Sequence, residues 1–258
     1  MEGLPLDSGG RLAPALFLDF DGTLVGIARR PDEVRPDPRL PPALRRLHGA
    51  LDGALAIVSG RPLAEIDALL APLRLPGAGA HGIERRGPDG QLRVRAGAPP
   101  DHVIDVAREL QRRHAGLRVE IKPSTLALHF REAPALEALC VDAARAAVAA
   151  TPGWAVQLGK CVAEIRPHDV TKGRTIEWFM AAPPFAGRLP VFVGDDDADE
   201  DGFEVVQAAG GLGVKVGPGP TRARMRLDSH HDVLAWLERL AQSVESRASE
   251  RHAAGVVR

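Results

Sequence analysis

An α/β fold built on a parallel sheet, interrupted by an inserted α+β module, is what this sequence predicts. Three observations predict it. Short apolar runs alternate with helical apolar stripes near both ends of the chain, the pattern of strand–crossover–strand units. Several of those runs end in a small or acidic polar residue just ahead of a turn or helix start, the place where open parallel sheets bind ligands. Between Pro99 and Pro167 the alternation gives way to helix–strand–strand, given twice, which reads as a small antiparallel sheet backed by two helices.

Residues 1–13 read as a lead-in. The first strand is the apolar run Ala15 to Leu18, and it ends in Asp19-Phe20-Asp21-Gly22-Thr23. Strand side chains alternate between faces, so Asp19 and Asp21 project to the same side. Two carboxylates held there repel each other unless a cation or a shared proton relieves them. A hard divalent ion such as Mg²⁺ suits oxygen ligands of this kind. One carboxylate is placed to attack an electrophile, the other to shuttle protons. A tight turn uses Asp and Gly just as readily, and on these residues alone both readings stay open.

The stretch Arg29 to Pro38 carries prolines that argue for a surface loop. Pro41 and Pro42 open a helix whose apolar face holds Leu44, Leu47 and Leu51. A second buried strand, Ala54 to Val58, runs into Ser59-Gly60-Arg61-Pro62 and a helix with Leu63, Ile66, Leu69 and Leu70 on one face. Ser59 offers a hydroxyl, Gly60 an amide that can be approached closely, and the helix start a favourable dipole for an anion. Helix capping explains Ser59 equally well. The chain is expected to turn over Gly77 to Gly82, with His81 a structural histidine. Gly87-Pro88-Asp89-Gly90 reads as a hairpin tip.

The inserted module comprises helices over Asp101 to His114 and Pro134 to Ala149, with strands over Arg118 to Ile121, Thr125 to Phe130, Trp154 to Leu158 and Cys161 to Arg166. The first pattern then resumes: Thr171-Lys172-Gly173 opens a helix, and Leu189 to Val193 is another buried strand. It ends in Gly194 followed by an acidic run, six of the seven residues 195–201. Flanking apolar structure argues that this run supplies carboxylates to a cation rather than a solvated face. Helices over Thr221 to Leu227 and His231 to Leu240 close the domain, and the Ala-rich chain from Ser243 is expected to fray.

Composition excludes some partners. Lys plus Arg is 33 against 34 for Asp plus Glu, a net charge of -1 that gives no electrostatic case for nucleic acid or an anionic membrane. Cys140 and Cys161 lack metal-site spacing and fit a reducing compartment. No apolar run is long enough to span a bilayer, and Met1 to Arg11 lack the order of a signal peptide. The chain is read as cytoplasmic.

Asp19-Phe20-Asp21-Gly22-Thr23, Ser59, Lys172 and Gly194-Asp195-Asp196 resemble the four ordered motifs of the haloacid dehalogenase (HAD) superfamily phosphohydrolases, over about residues 14–240. The resemblance implies a Rossmann-like parallel-sheet core with an inserted α+β cap of the C2 type. It implies boundaries at 14–84 plus 168–241 for the core, 85–167 for the cap and 242–258 for a flexible tail. It makes Asp19 the nucleophile and Asp21 the acid and base. Ser59 and Lys172 would hold the transferring oxygens. Mg²⁺ would be bound by Asp19, the backbone carbonyl of Asp21 and Asp195, with Asp196 or Asp199 nearby.

Leu126 to Pro134 and Gly159 to Pro167 resemble cap segments of trehalose-6-phosphate phosphatases, as do Glu120-Ile121-Lys122, Ser59-Gly60-Arg61, the Gly79 to Gly82 turn and the Gly194 to Phe203 run. The sequence departs from that family at Asp197-Ala198, where Leu-Thr is common, and at Pro123-Ser124, where a Gly is common. The resemblance makes Gly60, Arg61, Glu120, Lys122, His129, Arg131, Lys160 and Glu164 substrate-binding candidates, a mix of donors and acceptors suited to a disaccharide. For the cap residues among them, surface ion pairing is the alternative. The implied activity is Mg²⁺-dependent hydrolysis of trehalose 6-phosphate by a monomer, with association with a trehalose-phosphate synthase left open. A phosphatase for another sugar phosphate would keep the four motifs and change only the cap contacts. An idle sugar-phosphate sensor would have no need of the nucleophile.

Overall fold

The computed structural model describes residues 13–28, 30, 33–95, 97–122, 124–159 and 161–255. Two compact units divide the chain: one runs to Arg93 and resumes at Thr171, and the other is Val94–Val170.

The first unit is built on β1 (Pro14–Leu18), β2 (Leu55–Val58), β3 (Gly77–Gly79), β4 (Glu84–Arg86), β5 (Leu92–Val94), β10 (Leu189–Gly194), β11 (Leu212–Val216) and β12 (Met225–Leu227). Its eight-stranded sheet has the order β12-β11-β10-β1-β2-β3-β4-β5, parallel from β12 through β3 and antiparallel from β3 to β4. Helices α1 (Leu40–Ala50), α2 (Leu63–Leu69), α5 (Lys172–Met180), α6 (Glu200–Ala208) and α7 (His230–Gly255) pack on it. β1 is central and buried, and the chain leaves it toward β2 on one side while β10 closes the other. That reversal of direction falls between β1 and its neighbours, and the carboxyl ends of strands at such a point are where open parallel sheets bind ligands. Register pairs Leu18 with Val193, and the Asp19 amide donates to the Val193 carbonyl at 2.9 Å, so the two acidic segments emerge side by side.

Aromatic packing fixes the helix that carries Lys172. Phe17 on β1 lies 5.9 Å from Phe179 on α5 and 5.4 Å from Phe185, all three buried. Such contacts add to area burial and set one geometry for α5 over β1.

The second unit contains α3 (Asp101–Arg113), α4 (Glu137–Ala149), β6 (Arg118–Ile121), β7 (Leu126–His129), β8 (Trp154–Gly159) and β9 (Val162–Pro167). Its four strands are antiparallel in the order β6-β7-β9-β8. Leu126, Leu128 and Ile165 pack with Val103 of α3 and Cys140 and Ala144 of α4. Strand alternation sends the polar set to the opposite face.

The structure differs from the sequence reading in four places. Gly77–Gly79 is a strand paired with β2, because three small residues carry no apolar signal yet their buried backbone completes the ladder. Hairpin β4–β5 joins the first unit's sheet, which moves the boundary from 84/85 to 93/94. Buried Arg86 holds it there, with Nη1 and Nη2 donating to Asp67 at 2.7 and 2.6 Å and Nε to the Leu75 carbonyl at 2.9 Å. Residues 225–227 form a strand beside β11 in place of the expected helix. Finally, α7 continues to Gly255 through the stretch expected to fray, since Ser243 onward holds no helix breaker before Gly255. Val244 packs on the core, and Arg46 Nε donates to Glu245 at 2.6 Å. No helix among the described residues is long and apolar enough to cross a membrane.

Candidate active site

The tip of β1 carries Asp19, which is 4 % exposed. Lys172, at the start of α5 and 5 % exposed, donates from Nζ to Asp19 Oδ1 at 2.7 Å and to Asp199 Oδ1 at 2.5 Å. The helix start holding this lysine is secured twice. Thr171 caps α5 by accepting from the Arg174 amide at 3.1 Å, and Asp201 of α6 accepts from the Gly173 amide at 3.0 Å.

The acidic run after β10 is ordered by its own carboxylates. Asp199 is fully buried, and its Oδ2 accepts from the amides of Asp195 and Asp196 at 2.9 and 3.0 Å. Asp196 caps the short 3₁₀ turn Asp197–Asp199 by accepting from the Ala198 amide at 2.9 Å, and α6 begins directly after it. This is a capping box, and it gives the acidic residues a structural role at a helix start as well as a chemical one.

Carboxylate oxygens of Asp19, Asp195 and Asp199 lie within 4.8 Å of one another. Burial pushes the carboxyls of Asp19 and Asp195 up to about 6 each, against the opposing pull of Lys172. Burial likewise raises Asp199 well above the usual range. At Asp196 burial also raises the pKa, but the Lys172 charge and its hydrogen bonds outweigh it and leave the group lowered. Burial alone would lower Lys172, yet the facing Asp19 and Asp199 charges raise it above the ordinary lysine value. Three crowded carboxyls with one lysine between them make an oxygen-only donor set with surplus negative charge, which fits a hard divalent cation. Of the residues expected around the cation, Asp19 and Asp195 come together with Asp199, whose oxygens are taken up by Lys172 and two amides. Asp196 caps the 3₁₀ turn, and the side chain of Asp21, whose backbone carbonyl is the expected ligand, meets a different partner.

That partner is Arg61, at the tip of β2. Its Nε and Nη2 grip Asp21 at 2.5 and 2.7 Å, a bidentate pair with Asp21 about one-third exposed (side chain 38 %). Asp21 holds the Arg61 guanidinium above its usual pKa. Ser59 is buried, and its Oγ accepts from the Arg61 amide at 3.2 Å, leaving its hydroxyl proton for another acceptor. Gly60 lies directly under the His81 ring, where an added Cβ would sit 2.6 Å from the ring. His81 is itself left-handed at φ 59°, and its amide donates to the Ser59 carbonyl at 3.0 Å. Read from sequence as structural, it stands against the Ser59-Gly60 tip.

Gly22 is a second close approach. Its φ is +81°, and a Cβ there would fall 2.0 Å from Asp195 Oδ2. Gly22→Ala therefore collides with the Asp195 carboxylate and is strained by about 1–2 kcal/mol besides. The expected result is a loss of divalent-cation affinity of about tenfold or more, read by calorimetric titration, together with a lower melting temperature.

On the second unit, register aligns Glu120 with Ala127, Ala127 with Glu164, and Glu164 with Gln157, one row across the polar face. His129 Nε2 lies 3.1 Å from Glu120 Oε2, and Lys122 Nζ lies 3.7 Å from the same oxygen. Glu120, Lys122, His129 and Glu164 are thus brought together on one face. β7 ends at His129, and Arg131 lies in the turn that follows it. Lys160 lies outside the described residues. Two contributors went unread in the sequence. Thr23 Oγ1 donates to Asp195 Oδ1 at 3.3 Å, and buried Lys215 donates to the Asp195 backbone carbonyl. Lys215 was legible in principle, as the one charge in the apolar strand Leu212-Gly213-Val214-Lys215-Val216.

Comparison with known proteins agrees with this geometry. Residues 17–231 match the family model described as trehalose-phosphatase. The trehalose-6-phosphate phosphatase of Escherichia coli K12 is 41% identical over 236 residues, covering 90% of this chain and 88% of its own. The C-terminal domain of the Candida albicans trehalose-6-phosphate phosphatase superposes with a TM-score of 0.74 at 25% identity, covering 90% of this chain and 93% of its own. A haloacid dehalogenase-like hydrolase of Bacillus subtilis shares the fold, with a TM-score of 0.66 at 14% identity over 87% of this chain and 99% of its own. The chain belongs to the trehalose-phosphatase family, phosphoric monoester hydrolases with the haloacid dehalogenase-like α/β fold.

Proposed function

We propose that this chain hydrolyses trehalose 6-phosphate to trehalose and phosphate through an aspartyl-phosphate on Asp19, with Mg²⁺ as its cation. The observation that supports this most is the convergence of Asp19, Lys172 and Asp195 at the β1 and β10 tips, in a chain that matches a phosphatase family along most of its length.

Lys172 occupies Asp19 Oδ1, which leaves Oδ2 to attack phosphorus. As that bond forms, the bond from phosphorus to the sugar oxygen breaks, and Asp21 gives its proton to the leaving oxygen. Asp21 then takes a proton from water, the water oxygen attacks the same phosphorus, and phosphate departs with Asp19 restored. Ser59 and the Gly60 amide donate to the transferring oxygens, and Lys172 offsets the charge that attack brings together. Asp19, Asp195 and the Asp21 carbonyl would hold Mg²⁺, while Asp199 is committed to Lys172 and two amides. The cation supplies charge neutralisation between an anionic nucleophile and an anionic phosphoryl group. In the free chain Arg61 grips Asp21; an incoming phosphate competes for Arg61 and frees Asp21 for proton transfer.

Sugar recognition falls to the second unit acting as a cap, through Glu120, Lys122, His129 and Glu164, joined by Arg131 and Lys160. Losing a hydrogen bond to a charged partner costs about 1.5–3 kcal/mol. Glu164→Ala is therefore expected to raise KM for trehalose 6-phosphate about tenfold or more, with a smaller change for p-nitrophenyl phosphate, as steady-state kinetics would show. The enzyme acts as a cytoplasmic monomer, in a compartment where Cys140 and Cys161 stay free thiols. The test is phosphate release from a panel of sugar phosphates, with Mg²⁺ and with EDTA. Release from trehalose 6-phosphate that EDTA abolishes is expected. Preference for another sugar phosphate would overturn the substrate assignment and leave the chemistry standing.

A further inference from the structure

Lys215 is 4 % exposed and sits in β11, a strand buried at every position. Parallel register places it beside Gly194, at the end of β10 from which Asp195 emerges. Its Nζ donates to the backbone carbonyl of Asp195. A buried charge in an apolar strand is costly unless it is paired. Among the described residues its contact falls on a carbonyl rather than on a carboxylate: Asp19 and Asp199 are served by Lys172, and Asp195 by Thr23. The contact it does make falls on the backbone of the residue whose carboxylate completes the acidic cluster. The Asp195 segment is thus tethered at both of its backbone groups, the amide to Asp199 Oδ2 and the carbonyl to Lys215. Thr23 then orients the side chain between them.

We propose that Lys215 is the positioning residue for Asp195: by anchoring that residue's backbone carbonyl it sets where the carboxylate sits, and so sets the affinity of the site for a divalent cation. The inference rests on the reading of Asp19 and Asp195 as a cation site. It makes a prediction opposite to the one simple electrostatics makes. Removing a positive charge beside three carboxylates strengthens their pull on a cation. Removing an anchor that orients a ligand weakens binding, by about 10- to 100-fold for groups of this kind.

The experiment is direct titration of the full chain with Mn²⁺, followed by electron paramagnetic resonance of the free ion. It compares wild type, Lys215→Met and Lys215→Gln. Circular dichroism and thermal melts in EDTA confirm that each variant is folded. Methionine keeps the stem and loses the donor, whereas glutamine keeps an N–H donor and loses the charge. The expected result is a Kd raised about tenfold or more in Lys215→Met, with Lys215→Gln intermediate between it and wild type. Where Lys215→Met does not fold, Lys215→Gln decides: a Kd above that of wild type supports anchoring, and a Kd equal to or below it overturns the proposal. Tighter Mn²⁺ binding by either variant, or a folded Lys215→Met that binds as wild type does, overturns the proposal. Wild type that binds no Mn²⁺ overturns it together with the cation-site reading, so the two failures are distinguishable.

Discussion

Asp19→Asn is expected to lower kcat for trehalose 6-phosphate by about 10⁴-fold or more, the scale on which an enzyme loses its nucleophile. The substitution is nearly isosteric. Asparagine Oδ1 still accepts from Lys172, and Phe17 beneath it keeps its packing against Phe179 and Phe185. What disappears is the carboxylate oxygen proposed to carry the electron pair to phosphorus. The fold is expected to survive, because neutralising one of three crowded carboxyls relieves repulsion. Phosphate release at saturating substrate reads the first effect, and thermal melting reads the second. A loss below tenfold in a folded variant would remove Asp19 from the role of nucleophile.

The second large effect belongs to Lys172. Lys172→Met leaves Asp19 and Asp199 facing each other, both buried, with no cation between them. Breaking a buried ion pair by removing one partner costs about 3–5 kcal/mol, mostly through the uncompensated charge. Urea denaturation at neutral pH is expected to show a loss of that size, and turnover is expected to fall about 10²- to 10³-fold besides. The deficit has a definite pH dependence. Asp19 already sits at about 6 with Lys172 present, above its unfolded value, and Asp199 is raised as well. A carboxyl whose folded pKa is raised gains stability as it takes up a proton, and loses it as pH rises through the folded pKa. The variant should therefore recover part of its stability as pH falls from 7 toward 5. A deficit that is flat across that range would show that charge is not its cause.

Much of the core and its site is legible in the sequence because local and tertiary signals agree there. The β1 and β10 strands are apolar runs ending in acid, and buried parallel strands have no other way to look. Lys172 is legible because Thr171 is a helix cap and places the lysine in the first turn of α5. Disagreement between levels hides the rest. Three small residues at Gly77–Gly79 show no strand periodicity, so only the neighbouring β2 makes them a strand. The charges of Asp197 to Asp201 mask the start of α6, where acidic residues are favoured by the helix dipole. Spacing alone does not separate Asp196 from Asp199, since the distinction depends on a capping box that turns one outward and buries the other. Nor does it show that Arg61 grips Asp21, a pair separated by 40 residues.

The most direct measurement is to trap the covalent intermediate. The wild-type chain would be mixed with trehalose 6-phosphate and Mg²⁺, quenched in acid within one turnover, reduced with borohydride and mapped by mass spectrometry. An aspartyl-phosphate is reduced to homoserine, so the peptide spanning Ala15 to Leu24 should carry homoserine at position 19 and nowhere else. Homoserine at position 21 or 195, or phosphate release within the quench window with no carboxylate reduced, would contradict attack by Asp19.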